Sequence, residues 1–142
     1  MTTTTQSRFS TTTPAAANDT FLRRTLLGNV AFSLISGAAC LLGANALAAL
    51  MGIPQPAILM ALGGGLLLFA LGVYLTASQR PLDPRKATAI FAADVVWVVG
   101  SVAILALDLF GLTTEGRWLV LIIADVVLGF AVLEFFGLRR LR

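Results

Sequence analysis

The sequence predicts an all-α, multi-pass membrane protein whose four transmembrane helices form two consecutive hairpins. Three observations carry that prediction. Hydrophobic residues make up 58% of the 142 positions and charged residues only 12%, about half the charged share of a soluble domain. Such a chain cannot cover itself with polar surface, so its solvent is lipid. Four apolar runs each have roughly the 20 residues that a hydrocarbon core of about 30 Å demands. Finally, nine of the ten Lys and Arg residues fall on one side of those runs.

The elements follow in order. Residues 1–20, MTTTTQSRFSTTTPAAANDT, are Thr-rich without apolar periodicity and are expected to form a disordered tail. The remainder, 21–142, is one transmembrane domain. Its first span covers 22–42, and apolar character persists weakly to Leu50, so residues 44–51 form either a short interfacial helix or the end of span one. Gly52-Ile53-Pro54-Gln55-Pro56 then breaks the chain. The second span covers 57–77 and ends before Gln79-Arg80-Pro81. The third and fourth cover 86–107 and 118–138. Unpaired backbone groups are not tolerated in lipid, so all four spans are helices.

Arg8, Arg23 and Arg24 precede span one, Arg80, Arg85 and Lys86 separate spans two and three, and Arg139, Arg140 and Arg142 follow span four. Only Arg117 lies on the opposite side, beside Asp108 and Glu115. By the positive-inside rule both termini are cytoplasmic, and Trp118 suits an aromatic anchor at the outer interface. The net charge of +3 fits topology and anionic lipid rather than nucleic acid. A shift of 65 residues sets Asn29 on Asp94 and Ser36 on Ser101, and a shift of 61 sets Phe69-Ala70 on Phe130-Ala131. The two hairpins therefore carry the marks of a parallel repeat.

Asp94, Asp125 and Glu134 stand inside these runs, which beyond Arg23, Arg24 and Lys86 at their starts contain no Lys, Arg or His. An ionisable residue at membrane depth is a functional-site hypothesis by default. At 1.5 Å per residue, Asp94 lies about 12 Å inside from Lys86, while Asn29, Glu134 and Tyr74 lie about 7–9 Å deep in the same half. Asp94, Trp97 and Ser101 share one helical face, and Asn29, Ser33, Ser36 and Cys40 form the matching stripe on span one. The candidate site is therefore Asn29, Tyr74, Asp94 and Trp97, together with Glu134, which is also close enough to the interface to snorkel toward water. Asp125 belongs to the outer half. It is nine residues from Glu134, about 900° of helical turn, so the two point in opposite directions. Asp125 is the stronger candidate for burial and the place to expect a second molecule.

Two readings of the cluster stand side by side. It is either a polar pocket for a cation, proton or headgroup, or a hydrogen-bonded set that docks the hairpins, with bonds worth about 0.6–2 kcal/mol each. Helix packing, within the bundle or with a partner, is expected at Ser36, Gly64, Gly72, Ser101 and Gly129, where small residues let backbones approach.

The chemistry of the chain excludes much else. Without histidine it has no His-ligated haem or zinc and no His-activated nucleophile. Gly63-Gly64-Gly65 lacks the GK[ST] ending of a phosphate loop. The single Cys40 forms no intramolecular disulfide. No enzyme, metal or resident cofactor is expected.

FLRRTLLGNVAFSLISG, FAADVVWVVGS, LTTEGRWLVLIIADVV and FGLRRLR resemble segments of a group of small four-span bacterial integral membrane proteins. That resemblance covers about residues 22–142 and implies topology and an inner-membrane location, without an activity. The four-span size is also similar to small multidrug-resistance transporters, but their first-span Glu is matched here only by Asn29. The leading expectation is a non-enzymatic accessory or assembly subunit, packed by its Gly-rich faces against other transmembrane subunits or as a homo-oligomer. One alternative is a small oligomeric proton-coupled or cation transporter using Asp94 or Asp125. Another is a protein that binds lipid or a hydrophobic cofactor between the hairpins.

Overall fold

The computed structural model describes residues 14–141, and these are helices and their connections, with no strand among them. The helices are α1 (Pro14–Leu42), α2 (Ala44–Met51), α3 (Pro56–Ser78), α4 (Pro84–Leu107) and α5 (Thr114–Leu141). Four of them, with α1 counted from Asp19, are long and apolar enough to cross a membrane. Most of the Thr-rich segment lies outside the described residues. Its last part, from Pro14, is already in α1 rather than in a disordered tail, because the run from Ala15 to Asn18 contains no helix breaker. The fourth helix likewise extends past 118–138 at both ends.

Local chemistry sets the boundaries. Gly43 interrupts α1 and α2 by one residue, yet its N–H still reaches Ala39 O at 2.9 Å, so α2 is a near-continuation of α1. Gly52 ends α2 at φ +76°, a left-handed conformation suited to glycine. Pro56 and Pro84 open α3 and α4, where the missing N–H removes no helical bond. Asp83 caps α4, its Oδ1 accepting from Arg85 N at 2.9 Å. Thr113 caps α5, its Oγ1 accepting from Gly116 N at 3.0 Å.

The chain forms two antiparallel hairpins. α1 runs along α3 and α4 along α5, and the hairpins join mainly through α1 against α5, while α3 and α4 meet only slightly. The closest approach within the first hairpin is Gly37 against Gly63, where an added Cβ on Gly63 would lie 2.7 Å from Gly37 O.

Two apolar cores occupy opposite ends. On the side bearing the α3–α4 connection, Leu22, Leu26, Val73, Ala77, Leu82 and Ile90 pack together. There the Arg23 guanidinium donates to Ala77 O and, at 2.8 Å, to Gln79 O, satisfying carbonyls at the end of α3. On the far side, Ala44, Ala48, Met51, Ile53, Leu59 and Leu112 form the second core. Thr113 N donates to Met51 O at 3.0 Å and Thr113 Oγ1 to Leu50 O at 2.5 Å, fastening α2 to the start of α5. Between the cores lies a polar layer and a cleft.

Candidate functional site

Asn29 on α1 is the centre of the polar layer. Its Nδ2 donates to Asp94 Oδ2 on α4 at 2.6 Å and to Glu134 Oε1 on α5 at 3.2 Å. Its Oδ1 accepts from Ser33 Oγ at 3.2 Å. A primary amide has two N–H donors, and here each one goes to a different carboxyl group. All four side chains are buried, Glu134 completely.

Helical register explains the convergence. Asn29 and Ser33 are one turn apart and follow Leu22 and Leu26 on the buried face of α1. Asp94 shares its face with Ala87, Ile90 and Ser101. Glu134 follows Val127 and Ala131 and precedes Gly137, all buried. Gly137 and Gly28 let α1 and α5 approach. An added Cβ at Gly137 would lie 2.9 Å from the Leu22 side chain, and one at Gly28 would lie 3.2 Å from the Phe130 ring.

Two buried polar atoms have no hydrogen-bond partner among the described residues, Glu134 Oε2 and Trp97 Nε1. A buried polar atom left unpaired in a low-dielectric interior is costly; Trp97 lies on the cleft described next, whereas Glu134 is fully buried and does not line it. Trp97 lines a cleft of about 340 Å³ together with Asn29, Asp94, Phe69 and Ser36. Ser36, Cys40, Leu62, Trp97 and Ile123 continue into a second lobe of about 680 Å³ toward the far side, whose other walls are almost wholly apolar. Ala61, Leu62 and Gly65 on α3 and Val96 and Gly100 on α4 line these lobes while themselves exposed. The cleft therefore opens sideways between α3 and α4, toward the surrounding bilayer.

The sequence-derived residues divide sharply. Asn29, Asp94 and Glu134 meet, and Trp97 stands beside them. Glu134 is not interfacial as expected. Its distance from Arg139 suggested a shallow position, but its register turns it inward against α1. Tyr74 does not join the site. It is half-exposed on the outer surface of α3, because Ala70, Val73 and Ala77 take the inner face. Asp125 is exposed rather than buried, since Ala124 and Val127 occupy the inner face of α5. The opposite directions of Asp125 and Glu134 are as the helical angle required.

The packing residues also require correction. An added Cβ at Gly64, Gly72 or Gly129 would meet nothing within 4 Å, so these glycines do not pack inside the molecule. Gly37, Gly63, Gly116 and Gly137 do so instead. Ser36 is half-buried in the cleft wall, and Ser101 donates to its own helix at Trp97 O, 2.9 Å away. The walls formed by Phe69, Gly65 and Ala93 had no distinguishing signal, because an apolar stripe facing a cleft is spelled like one facing lipid.

The arrangement can accept a cation or a hydrogen-bond donor at Asp94, the carboxyl group that lines the cleft, and an apolar body along the cleft. No group of three or more metal-ligating His, Cys, Asp or Glu side chains occurs among the described residues. No known protein family, curated protein or solved structure matches the chain.

Proposed function

We propose that this protein binds, within the bilayer, a lipophilic molecule whose polar end carries a cation or a hydrogen-bond donor. Asp94, which lines the cleft, receives that end with Trp97 Nε1 beside it, while Asn29 ties Asp94 to the fully buried Glu134. The apolar cleft between α3 and α4 takes the rest of the ligand, which enters from the membrane. The observation that carries this reading is Asp94, held by Asn29 at 2.6 Å, lining an otherwise largely apolar cleft beside the unpaired Trp97 Nε1. Two acids without a base at membrane depth call for a complementary group, and sideways access suits a molecule already dissolved in lipid. The accessory-subunit expectation rested on missing catalytic residues, short loops, Gly-rich faces and the Thr-rich tail; the polar residues on the cleft favour a bound ligand. Both termini are placed in the cytoplasm on the strength of the basic residues alone.

A long-chain alkylamine carrying a reporter in its tail tests the proposal, titrated into nanodiscs containing the protein. Saturable binding is expected beyond partition into empty nanodiscs. Asp94→Asn combined with Glu134→Gln should weaken it at least tenfold, about 1.4 kcal/mol. Linear uptake equal to that of empty discs, or equal binding by the double variant, overturns the proposal.

A further inference from the structure

The cleft has a second polar feature that a cation at Asp94 does not use. Trp97 stands three residues after Asp94, so the two side chains share one face of α4, with Cβ atoms about 5–6 Å apart. Both line the smaller lobe of the cleft, and Trp97 also lines the larger one. Its Nε1 is buried and finds no acceptor among the described residues. An indole N–H is a donor only, so nothing but an acceptor satisfies it. The ring borders the cleft, and a group lying there is the one placed to supply that acceptor.

The neighbours of Trp97 narrow the kind of acceptor. Asp94 is one turn away, and a second negative charge beside it would be repelled in a low-dielectric site. That disfavours a phosphate or a carboxylate. The other residues common to the two lobes, Ser36, Cys40, Leu62 and Ile123, include no cation to offset an anionic group. A ligand dissolved in the bilayer also carries few polar atoms, because each unsatisfied one is costly in hydrocarbon. A neutral carbonyl oxygen meets all of these conditions.

We infer that the ligand carries a carbonyl oxygen next to its cationic or donor group, and that this oxygen accepts a hydrogen bond from Trp97 Nε1 while Asp94 holds the donor. The ligand class is therefore an amino- or hydroxy-substituted carbonyl amphiphile, such as an α-amino amide or ester of one long chain. A plain amine leaves the indole unserved, and a phospholipid brings an anion to Asp94. The apolar walls of the larger lobe, among them Ile104, Leu119 and Val120, take the chain. This inference rests on the ligand reading above and adds a second contact to it.

Paired calorimetric titrations into nanodiscs containing the full chain test it. N-dodecylglycinamide sets a carbonyl beside its ammonium group, and pentadecylamine matches its length without one. After subtraction of uptake by empty discs, the glycinamide should bind the parent chain about three- to tenfold more tightly, as one neutral hydrogen bond supports. Trp97→Phe should remove that advantage and leave amine binding unchanged. Trp118→Phe, at an exposed position on α5, should change neither. Equal affinity of the two amphiphiles for the parent chain overturns the inference without recourse to a variant, as does an advantage that survives Trp97→Phe. In the first of these results, saturable amine binding still leaves the ligand reading standing. Saturable binding of neither amphiphile sinks both.

Discussion

Asn29 is the residue on which the polar layer depends. It supplies both donors that bond Asp94 and Glu134, so removing the amide leaves two buried carboxyl groups facing each other without either bond. Inter-helix bonds in membranes average about 0.6 kcal/mol and reach about 1.7, and a buried acceptor stripped of its donor costs about 1–3 kcal/mol. Asn29→Ala should therefore lower unfolding free energy in bicelles by about 1–3 kcal/mol. Glu134→Gln, which still presents an acceptor to Asn29, should lower it less. At this scale the sequence was legible where two signals agreed. Depth and helical angle both pointed Asn29 and Asp94 at one layer. Glu134 and Tyr74 were misplaced because depth alone was counted. Glu134 lies on the face that Val127, Ala131 and Gly137 bury, whereas Tyr74 lies beside a face that Val73 and Ala77 already fill. Asp125 was expected to be buried because a lipid-facing acid is expensive. The structure instead places it on the exposed face of α5.

Helices were legible in number and position, and their contacts were not. Apolar length and the Pro and Gly breaks marked four spans, since each is a property of one stretch of chain. Which glycine touches which helix is a property of two, and in lipid both faces of a span are apolar. Gly63 and Gly64 are adjacent in sequence, yet a Cβ on the first would press to 2.7 Å from Gly37 O and one on the second would meet nothing within 4 Å. Gly63→Ala should accordingly destabilise the first hairpin by about 1–3 kcal/mol, the usual range for overpacking. Gly64→Ala and Gly72→Ala should stay within about 1 kcal/mol of the parent chain, as expected where only helix propensity changes. Thermal unfolding in detergent, with the three variants side by side, would show the contrast.

The whole molecule combines firm ends with an open waist. Apolar cores close both ends, Arg23 holds the end of α3, and Thr113 fastens α2 to α5, while the middle layer is polar on one side and empty on the other. The two-hairpin plan was visible in the spacing of the spans. The sideways cleft was not, because it arises from α3 and α4 meeting only slightly, and a scarcity of contact leaves no pattern in either helix.

That near-absence of contact between α3 and α4 bears on how the chain is put together in time. Within the first hairpin Asn29 Oδ1 already accepts from Ser33, whereas both acceptors of its Nδ2 belong to the second hairpin. The covalent link between the hairpins brings them into one neighbourhood, whereas the Asn29 bonds and the α1–α5 surface specify how they join. Cutting the chain between Arg80 and Pro81 and coexpressing the two fragments should therefore yield a complex that purifies through a tag on either piece. Fragments that fail to associate would show the connection to be structural after all. Asn29→Ala in the first fragment should reduce recovery severalfold.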